Sequence, residues 1–345
     1  MTDRLPDDPT SDLKTERLNE MAFSFKQAGT LLAAIDLGVF TAISEGAGTV
    51  EAIAAKVSVD PEAVDRLLIA CKALDLVREV DGSYRNLSDV ERYAVRGSRT
   101  YFGDYLAYQA RSEYDRFKDL TSHLKPAEGQ EPPKRYAALM ADADEARRFT
   151  VAGYNASLSL GHKLAKTFDF SRFDRWLDLG GGSGCYSIAA CERNPSLCTV
   201  IMDFPNVLAV TCEFVAKHGL EQRIETHAGN FFEDDLPTGC DLVSYVTPLQ
   251  SYMPDEVTRA LRRARETVAR GGTVLVLDYM LDDDKAGPLD PAFTNLQGVR
   301  EGHFTGRVNS GAEFRSYMQA AGLVDIEVQW FMRHQLGLVT GRNPA

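Results

Sequence analysis

No stretch of the 345 residues approaches the roughly 20 consecutive apolar positions that a membrane-spanning helix needs, so no membrane partner is expected. The start of the chain, Met1 to Asp12, lacks the apolar segment of a secretory signal and reads as a disordered, polar stretch. Positive charge is also short. Lys and Arg number 38 against 50 Asp and Glu, a net charge of −12, which argues against a surface that grips phosphate backbones and so against a nucleic-acid partner. Cysteine is sparse and unpatterned. The six (Cys71, Cys185, Cys191, Cys198, Cys212, Cys240) form no CxxC pair, so reduced thiols in a cytoplasmic protein are expected, with no metal site and no disulfide framework. No internal repeat is present.

What is present is ordinary for a globular protein: 44% hydrophobic and 26% charged residues. At about 100–200 residues per domain the length suggests two domains. Leu18, Met21, Phe25, Ala28, Leu32, Ile35 and Val39 recur at three- and four-residue steps, predicting helix from about Leu13 to Glu45. A second helix comes next, over about Glu62 to Leu74. A hairpin of Val77–Val80 and Tyr84–Leu87 then turns at Asp81-Gly82. Helix, turn, helix and hairpin make a winged-helix unit. Residues 47–90 carry eight acids and five bases, the wrong sign for DNA, so a structural or dimerising role is the better reading.

A helical middle covers Tyr101 to about Thr150, broken by a loop at Lys125-Pro-Ala-Glu-Gly-Gln-Glu-Pro-Pro. From Trp176 strands and helices alternate. Strands are expected at Arg175–Leu179, Thr199–Asp203, Ile224–Ala228, Leu242–Val246 and Thr273–Asp278. Helices are expected at Ser187–Arg193, Asn206–Lys217 and Asp255–Ala269. That alternation predicts an α/β fold, a parallel sheet with helices on both faces.

The informative motif is Trp176-Leu-Asp-Leu-Gly-Gly-Gly-Ser-Gly-Cys-Tyr-Ser. A strand ends at Asp178, with glycines beyond it at 180, 181, 182 and 184. Glycine lets the backbone turn tightly and approach a ligand, and the next helix offers its N-terminus. Many nucleotide folds use such a loop, so the spacing to the next two strand ends matters. About twenty residues on, a second strand ends in Asp203, where an acid can accept both ribose hydroxyl hydrogens. A third ends in Gly229-Asn230-Phe231-Phe232, where Asn230 can bond an adenine edge while Phe231 packs on the ring.

Asp178-Leu-Gly-Gly-Gly-Ser-Gly, Asp203-Phe-Pro-Asn-Val, Gly229-Asn-Phe-Phe and Gly271-Gly-Thr-Val-Leu-Val-Leu-Asp together resemble the plant-type O-methyltransferase family, over about residues 13–340. The resemblance implies a Rossmann-like class I methyltransferase domain behind a mostly helical winged-helix dimerisation domain. It implies three segments: dimerisation domain 13–100, helical linker and pocket wall 101–160, and catalytic domain 161–345. It further implies S-adenosyl-L-methionine as cofactor, a small-molecule substrate and a homodimer. The cofactor would be lined by Gly180, Gly182, Asp203, Phe204, Asn230 and Phe231. The family usually has Asp where Asn230 stands.

The chain departs from the family at the base. Members that methylate phenols carry a His-Asp-Trp triplet after the fourth strand, and gapless placement puts Gln250, Ser251 and Tyr252 there. Glutamine has no titratable proton near neutral pH and cannot be a general base. The Glu that orients the family's His is replaced by Val308. A nucleophile with a free lone pair and no proton to lose needs neither. This favours S-methylation of a thioether carboxylate such as 4-methylthio-2-hydroxybutyrate, the reaction of the family's dimethylsulfoniopropionate-pathway S-methyltransferases. Arg300 and Arg307 would bind the carboxylate. Tyr105 and Tyr108, with Tyr101 at helical spacing, would wall the pocket. Gln250, Tyr252 and His303 are the candidate catalytic residues. Two alternatives remain: O- or C-methylation of an aromatic natural product with His303 or Tyr252 as base, and a non-catalytic ligand-sensing winged-helix regulator.

Overall fold

The computed structural model of the chain describes residues 15–98, 100–126, 129 and 136–344. The expected disordered start, and most of the Pro-rich loop at 125–133, lie outside the described residues. Two compact units divide between Ala110 and Arg111.

In the first unit the expected helix from Leu13 to Glu45 is three helices: Glu16–Phe23, Phe25–Leu37 and Val39–Ser44. The apolar spacing runs through all three, but Gly38 takes a left-handed φ of 80° and ends the second by capping it. Helix Val50–Val57 starts where the Thr49 hydroxyl accepts the Ala52 N–H. Helix Pro61–Ala73 starts where the Asp60 carboxylate accepts the Glu62 N–H. Strands β1 (Val77–Val80) and β2 (Ser83–Asn86) pair antiparallel. Their turn, Asp81 and Gly82 at φ 49° and 71°, is the left-handed pair a two-residue hairpin favours. Ile35, Phe40, Ile53, Leu68 and Val77 form the core. On the second helix of this motif Arg66 is held by Glu62 at 2.8 Å, and Lys72 by Glu79 at 2.9 Å. Its bases are thus already neutralised by neighbours.

The second unit is built on a sheet of β3 (Arg175–Leu179), β4 (Cys198–Asp203), β5 (Ile224–Ala228), β6 (Leu242–Val246) and β7 (Thr273–Leu281), all parallel, in the order β7-β6-β3-β4-β5. Two short strands, β8 (Val299–Arg300) and β9 (His303–Phe304), form a separate hairpin. Strand β10 (Asn309–Ser310) extends β7 in parallel. Strands β11 (Val324–Met332) and β12 (Leu336–Arg342) add two antiparallel members beyond β7. The strands expected from sequence stop at Asp278 and omit this edge. Val324, Ile326, Val328 and Trp330 do alternate as a half-buried strand should.

Buried residues of the sheet point alternately to two cores. Trp176, Ile201, Leu275 and Leu277 pack with helices Ala143–Thr167, Cys185–Arg193 and Pro205–Lys217. Leu177, Leu179, Val243 and Val276 pack with helices Pro254–Thr267 and Gly311–Ala320. The chain winds outward from β3 to β5, then returns to β6 and β7 on the other side. The switch therefore falls between β3 and β6, and the carboxyl ends of the strands there are where such sheets hold ligands. No helix among the described residues is long and apolar enough to cross a membrane, and no cluster of metal-binding side chains occurs among them. All six cysteines are free thiols, four of them buried.

Candidate active site

The glycine-rich loop leaves β3 with Gly180, whose N–H donates to the Met202 carbonyl at 2.8 Å, and enters helix Cys185–Arg193. Gly180, Gly182 and Gly184 all have φ between 54° and 73°, a region other residues enter at a cost. A Cβ on Gly184 would stand 2.8 Å from Ile201, and one on Gly181 2.9 Å from the Asp178 carboxylate. Gly182 faces open space, with nothing within 4 Å of a Cβ built on it. The loop is therefore clamped behind and open in front.

Buried carboxylates stand near the carboxyl ends of β3 and β4, and a third on β7 just past its pairing with β6. Asp178 accepts the hydroxyls of Ser187 at 2.8 Å and Ser244 at 3.0 Å, and Ser244 in turn accepts the Trp176 indole N–H at 2.8 Å. Asp203 accepts the N–H groups of Gly182 at 2.9 Å and Phe204 at 2.8 Å. Asp278 accepts three, from Leu249, Gln250 and Tyr279, at 2.8, 3.1 and 2.8 Å. Burial pushes Asp178 and Asp203 up to about 6 and Asp278 up to about 7, against the pull of these donors.

Phe231 lies beside the loop: a Cβ on Gly180 would meet its ring at 3.4 Å and Pro248 at 3.5 Å. Phe231 is packed edge-on by Tyr245 and Tyr252, with centroids 5.3 and 5.8 Å away. Phe204 caps helix Pro205–Lys217 and faces the Tyr136 ring, centroids 5.7 Å apart. Tyr136 also hydrogen-bonds the Asp203 carboxylate. Sequence pattern does not mark Tyr136; only the fold brings helix Tyr136–Met140 onto the end of β4. Asn230 is more constrained than expected. Its side-chain carbonyl already accepts the Phe232 N–H at 3.0 Å, so one lone pair is committed to the turn.

The open front, the glycines and the buried Asp203 at the switch of a parallel sheet fit a nucleoside cofactor. Thus Gly180, Gly182, Asp203, Phe204, Asn230 and Phe231 meet around one strand-end crevice.

The candidate catalytic residues divide. Gln250 sits on the turn Leu249–Ser251, and its Oε1 is buried with no hydrogen-bond partner among the described residues. Val308, at the place of the family's glutamate, is 1% exposed and bonds Asn295 through its backbone N–H alone. Tyr252 packs against Phe231 and Phe232, as part of the wall behind the cofactor crevice. His303 lies opposite Arg300 on the β8–β9 hairpin, and its Nε2 is buried without a partner among the described residues. Arg307 is not with them: it is held by Glu313 at 2.6 Å, and Lys285 shares the same oxygen. Tyr105 and Tyr108 are half-buried in the first unit, Tyr105 against Phe102 with centroids 4.8 Å apart.

Comparison with known proteins agrees with this geometry. Residues 116–324 match the model of the O-methyltransferase domain, and residues 19–94 that of the O-methyltransferase dimerisation domain. The chain is 30% identical to the 3-hydroxy-5-methyl-1-naphthoate 3-O-methyltransferase of Streptomyces sahachiroi, over 91% of both chains. It is 28% identical to the N,N-dimethyltransferase OxyT of Streptomyces rimosus, over 88% of this chain and 89% of that one. The crystal structure of human N-acetylserotonin methyltransferase in complex with S-adenosylmethionine superposes with a TM-score of 0.86 at 25% identity, covering 97% and 99%. The reactions these relatives are named for are on oxygen and nitrogen, which leaves the expected thioether S-methylation without support. The chain belongs to the O-methyltransferase family and is an S-adenosylmethionine-dependent methyltransferase.

Proposed function

We propose that this enzyme methylates a nitrogen of a small molecule without a general base. The observation that carries the reading is Gln250: at the family's base position stands an amide oxygen, buried and unpartnered among the described residues. A buried acceptor left unsatisfied costs about 1–3 kcal/mol, so the site favours a substrate that brings a donor. An amine N–H is such a donor, and the nitrogen lone pair then points elsewhere for in-line attack; the N-methylammonium formed gives its proton to solvent after the methyl transfer. A thioether sulfur offers no donor at the reacting atom, which counts against S-methylation of 4-methylthio-2-hydroxybutyrate and the dimethylsulfoniopropionate pathway. A phenol offers one but must also lose its proton, and neither Gln250 nor Val308 can take it. OxyT, a relative whose name records N,N-dimethylation, supports nitrogen.

When bound, S-adenosylmethionine supplies an electrophilic methyl on a sulfonium, displaced in line. Asp203 holds the ribose hydroxyls through the lone pairs its two N–H donors leave open. Phe231 packs on the adenine, Phe204 closes the crevice from the side, and Gly180 and Gly182 let the backbone approach. Asn230 reaches the adenine edge through the part of its amide the turn does not use. Catalysis is then positioning and water exclusion rather than proton transfer.

A second reading has its own observation. His303 Nε2 is buried and unpartnered among the described residues, and the Streptomyces sahachiroi relative is named for O-methylation, so an oxygen acceptor with His303 as base is the rival. The chain acts as a homodimer. Helix Glu16–Phe23 buries none of its residues, and Leu18, Met21, Phe23 and Phe25 are each about half or more exposed, an apolar stripe that a second copy would cover.

Given methyl-labelled S-adenosylmethionine and pools of arylamines, phenols and thioether acids, the enzyme labels nitrogen, and Gln250→Ala lowers kcat/KM for the amine about tenfold while leaving cofactor affinity unchanged. Label confined to phenols and lost in His303→Gln establishes the rival instead. Ionised Asp203 is needed for the ribose, so S-adenosylhomocysteine affinity, followed by calorimetry, falls as pH drops through about 6. Asp203→Asn binds at least about tenfold more weakly at pH 7.5 and loses that pH dependence; an unchanged profile refutes the assignment. Light scattering finds a dimer for the wild type and a monomer for Met21→Glu/Phe25→Glu; a wild-type monomer rules the dimer out.

A further inference from the structure

The β8–β9 hairpin is held rigid by features outside the cofactor crevice. Its two-residue turn, Glu301 and Gly302, takes φ of 51° and 74°. Both turn N–H groups are fastened to His123: Glu301 donates to its Nδ1 at 3.1 Å and Gly302 to its carbonyl at 2.9 Å. The hairpin's base closes on the catalytic turn. A Cβ on Gly306 would stand 2.6 Å or less from the Gln250 carbonyl and the Ser251 backbone, and one on Gly298 would collide with the Gly306 carbonyl. Arg300 and His303 are directly opposite each other two residues further out, with Cβ atoms about 5 Å apart by the geometry of such pairs.

What this rigid element presents is uncompensated positive charge. Arg300 is half-buried and forms no ion pair with any described residue. Arg116, whose side chain is only 12% exposed, lies close enough to feel its charge. Arg116 has a loose pairing with Glu113 at 3.5 Å and donates to the Gln297 carbonyl at 3.4 Å. Arg116 therefore has one loose carboxylate partner and Arg300 none among the described residues, and the buried His303 Nε2 on the same hairpin has no hydrogen-bond partner among them. Partly desolvated like charges repel, and unpaired buried donors are costly. In a chain of net charge −12 that arrangement is not a by-product of a basic surface. An anion between these groups relieves every one of the costs.

We infer that Arg300, supported by Arg116 and His303, is a carboxylate-binding subsite that selects methyl acceptors carrying an acid group. The inference rests on the reading that the Gln250 turn is where the acceptor reacts. It leaves Arg307 out, since Glu313 and Lys285 already satisfy it. Arg300 receives the carboxylate in a bidentate fork, His303 donates from Nε2, and Arg116 sets the field behind them. The subsite then orients the acceptor from a few ångströms beyond the reacting atom. The naphthoate in the name of the Streptomyces sahachiroi relative is an acid of this class.

The test is a comparison of 1-naphthoate with its neutral isostere 1-naphthamide. Binding to the full-length enzyme is measured by calorimetry with and without S-adenosylhomocysteine. The wild type binds the anion at least about tenfold more tightly than the amide, and salt weakens the preference. In Arg300→Gln the two ligands bind within about twofold of each other, Arg300→Lys is intermediate, and Arg307→Gln keeps the wild-type ratio. Unchanged S-adenosylhomocysteine affinity in each variant reports an intact fold. No anion preference in the wild type, absent binding included, overturns the subsite, as does a preference that survives Arg300→Gln. Nitrogen as the acceptor atom is decided separately by the labelling experiment, so either idea can fail alone.

Discussion

Three backbone N–H groups converge on the buried carboxylate of Asp278, and the site hangs from that one interaction. Two of the donors, Leu249 and Gln250, open the turn that stands where the family keeps its base. That turn leaves β6 through Thr247, a non-glycine residue at φ 63° whose N–H is tied to the Leu277 carbonyl. Such a backbone persists only where its surroundings over-determine it. Asp278 is one end of that determination. From the same turn Pro248 reaches the glycine loop at Gly180, and the Gln250 carbonyl supports Gly306 at the root of the β8–β9 hairpin. The glycine loop, the turn at the family's base position and the β8–β9 hairpin thus meet on a segment that a single carboxylate holds in register.

The same device recurs along the sheet. Asp178 gathers two serines, and Asp203 gathers two backbone amides and Tyr136. Burying carboxylates at the ends of parallel strands is costly, and each is raised toward neutral pH by that burial. Each is compensated by donors from loops, which gives irregular backbone a fixed shape. The consequence is a site sensitive to mild acid. Loops held in this way suit the catalysis by placement that the proposed function requires.

Much of this was legible in the chain. The largely apolar runs at 175–179 and 242–246 mark strands at the observed bounds, because buried strands have little choice of composition. The glycine spacing and Asp203 mark the crevice for the same reason: only those residues tolerate the geometry. What stayed hidden depended on distant partners. Nothing near Arg307 or Arg300 says that one is neutralised by Glu313 and the other is not. Nothing near His123 says that its ring holds a turn 178 residues away. Asn230 could be placed at the adenine, but the N–H of Phe232 on its carbonyl is a product of the folded turn. The helical period is met from Glu16 to Ser44 and yet runs past Gly38, because periodicity does not register one left-handed residue.

With Gln250 and Val308 where the family keeps its base and orienting acid, the proposed reaction depends on placement, and Asp278 holds the turn that sets it. The most direct measurement is the pH dependence of kcat for the wild type and Asp278→Asn, with S-adenosylhomocysteine affinity measured alongside. The account predicts a wild-type kcat that falls as pH drops through about 7, where Asp278 takes up a proton and weakens as an acceptor. It predicts that Asp278→Asn lowers kcat at least about tenfold, removes that pH dependence and leaves cofactor affinity within about twofold. A variant with wild-type kcat and an unaltered profile would contradict it.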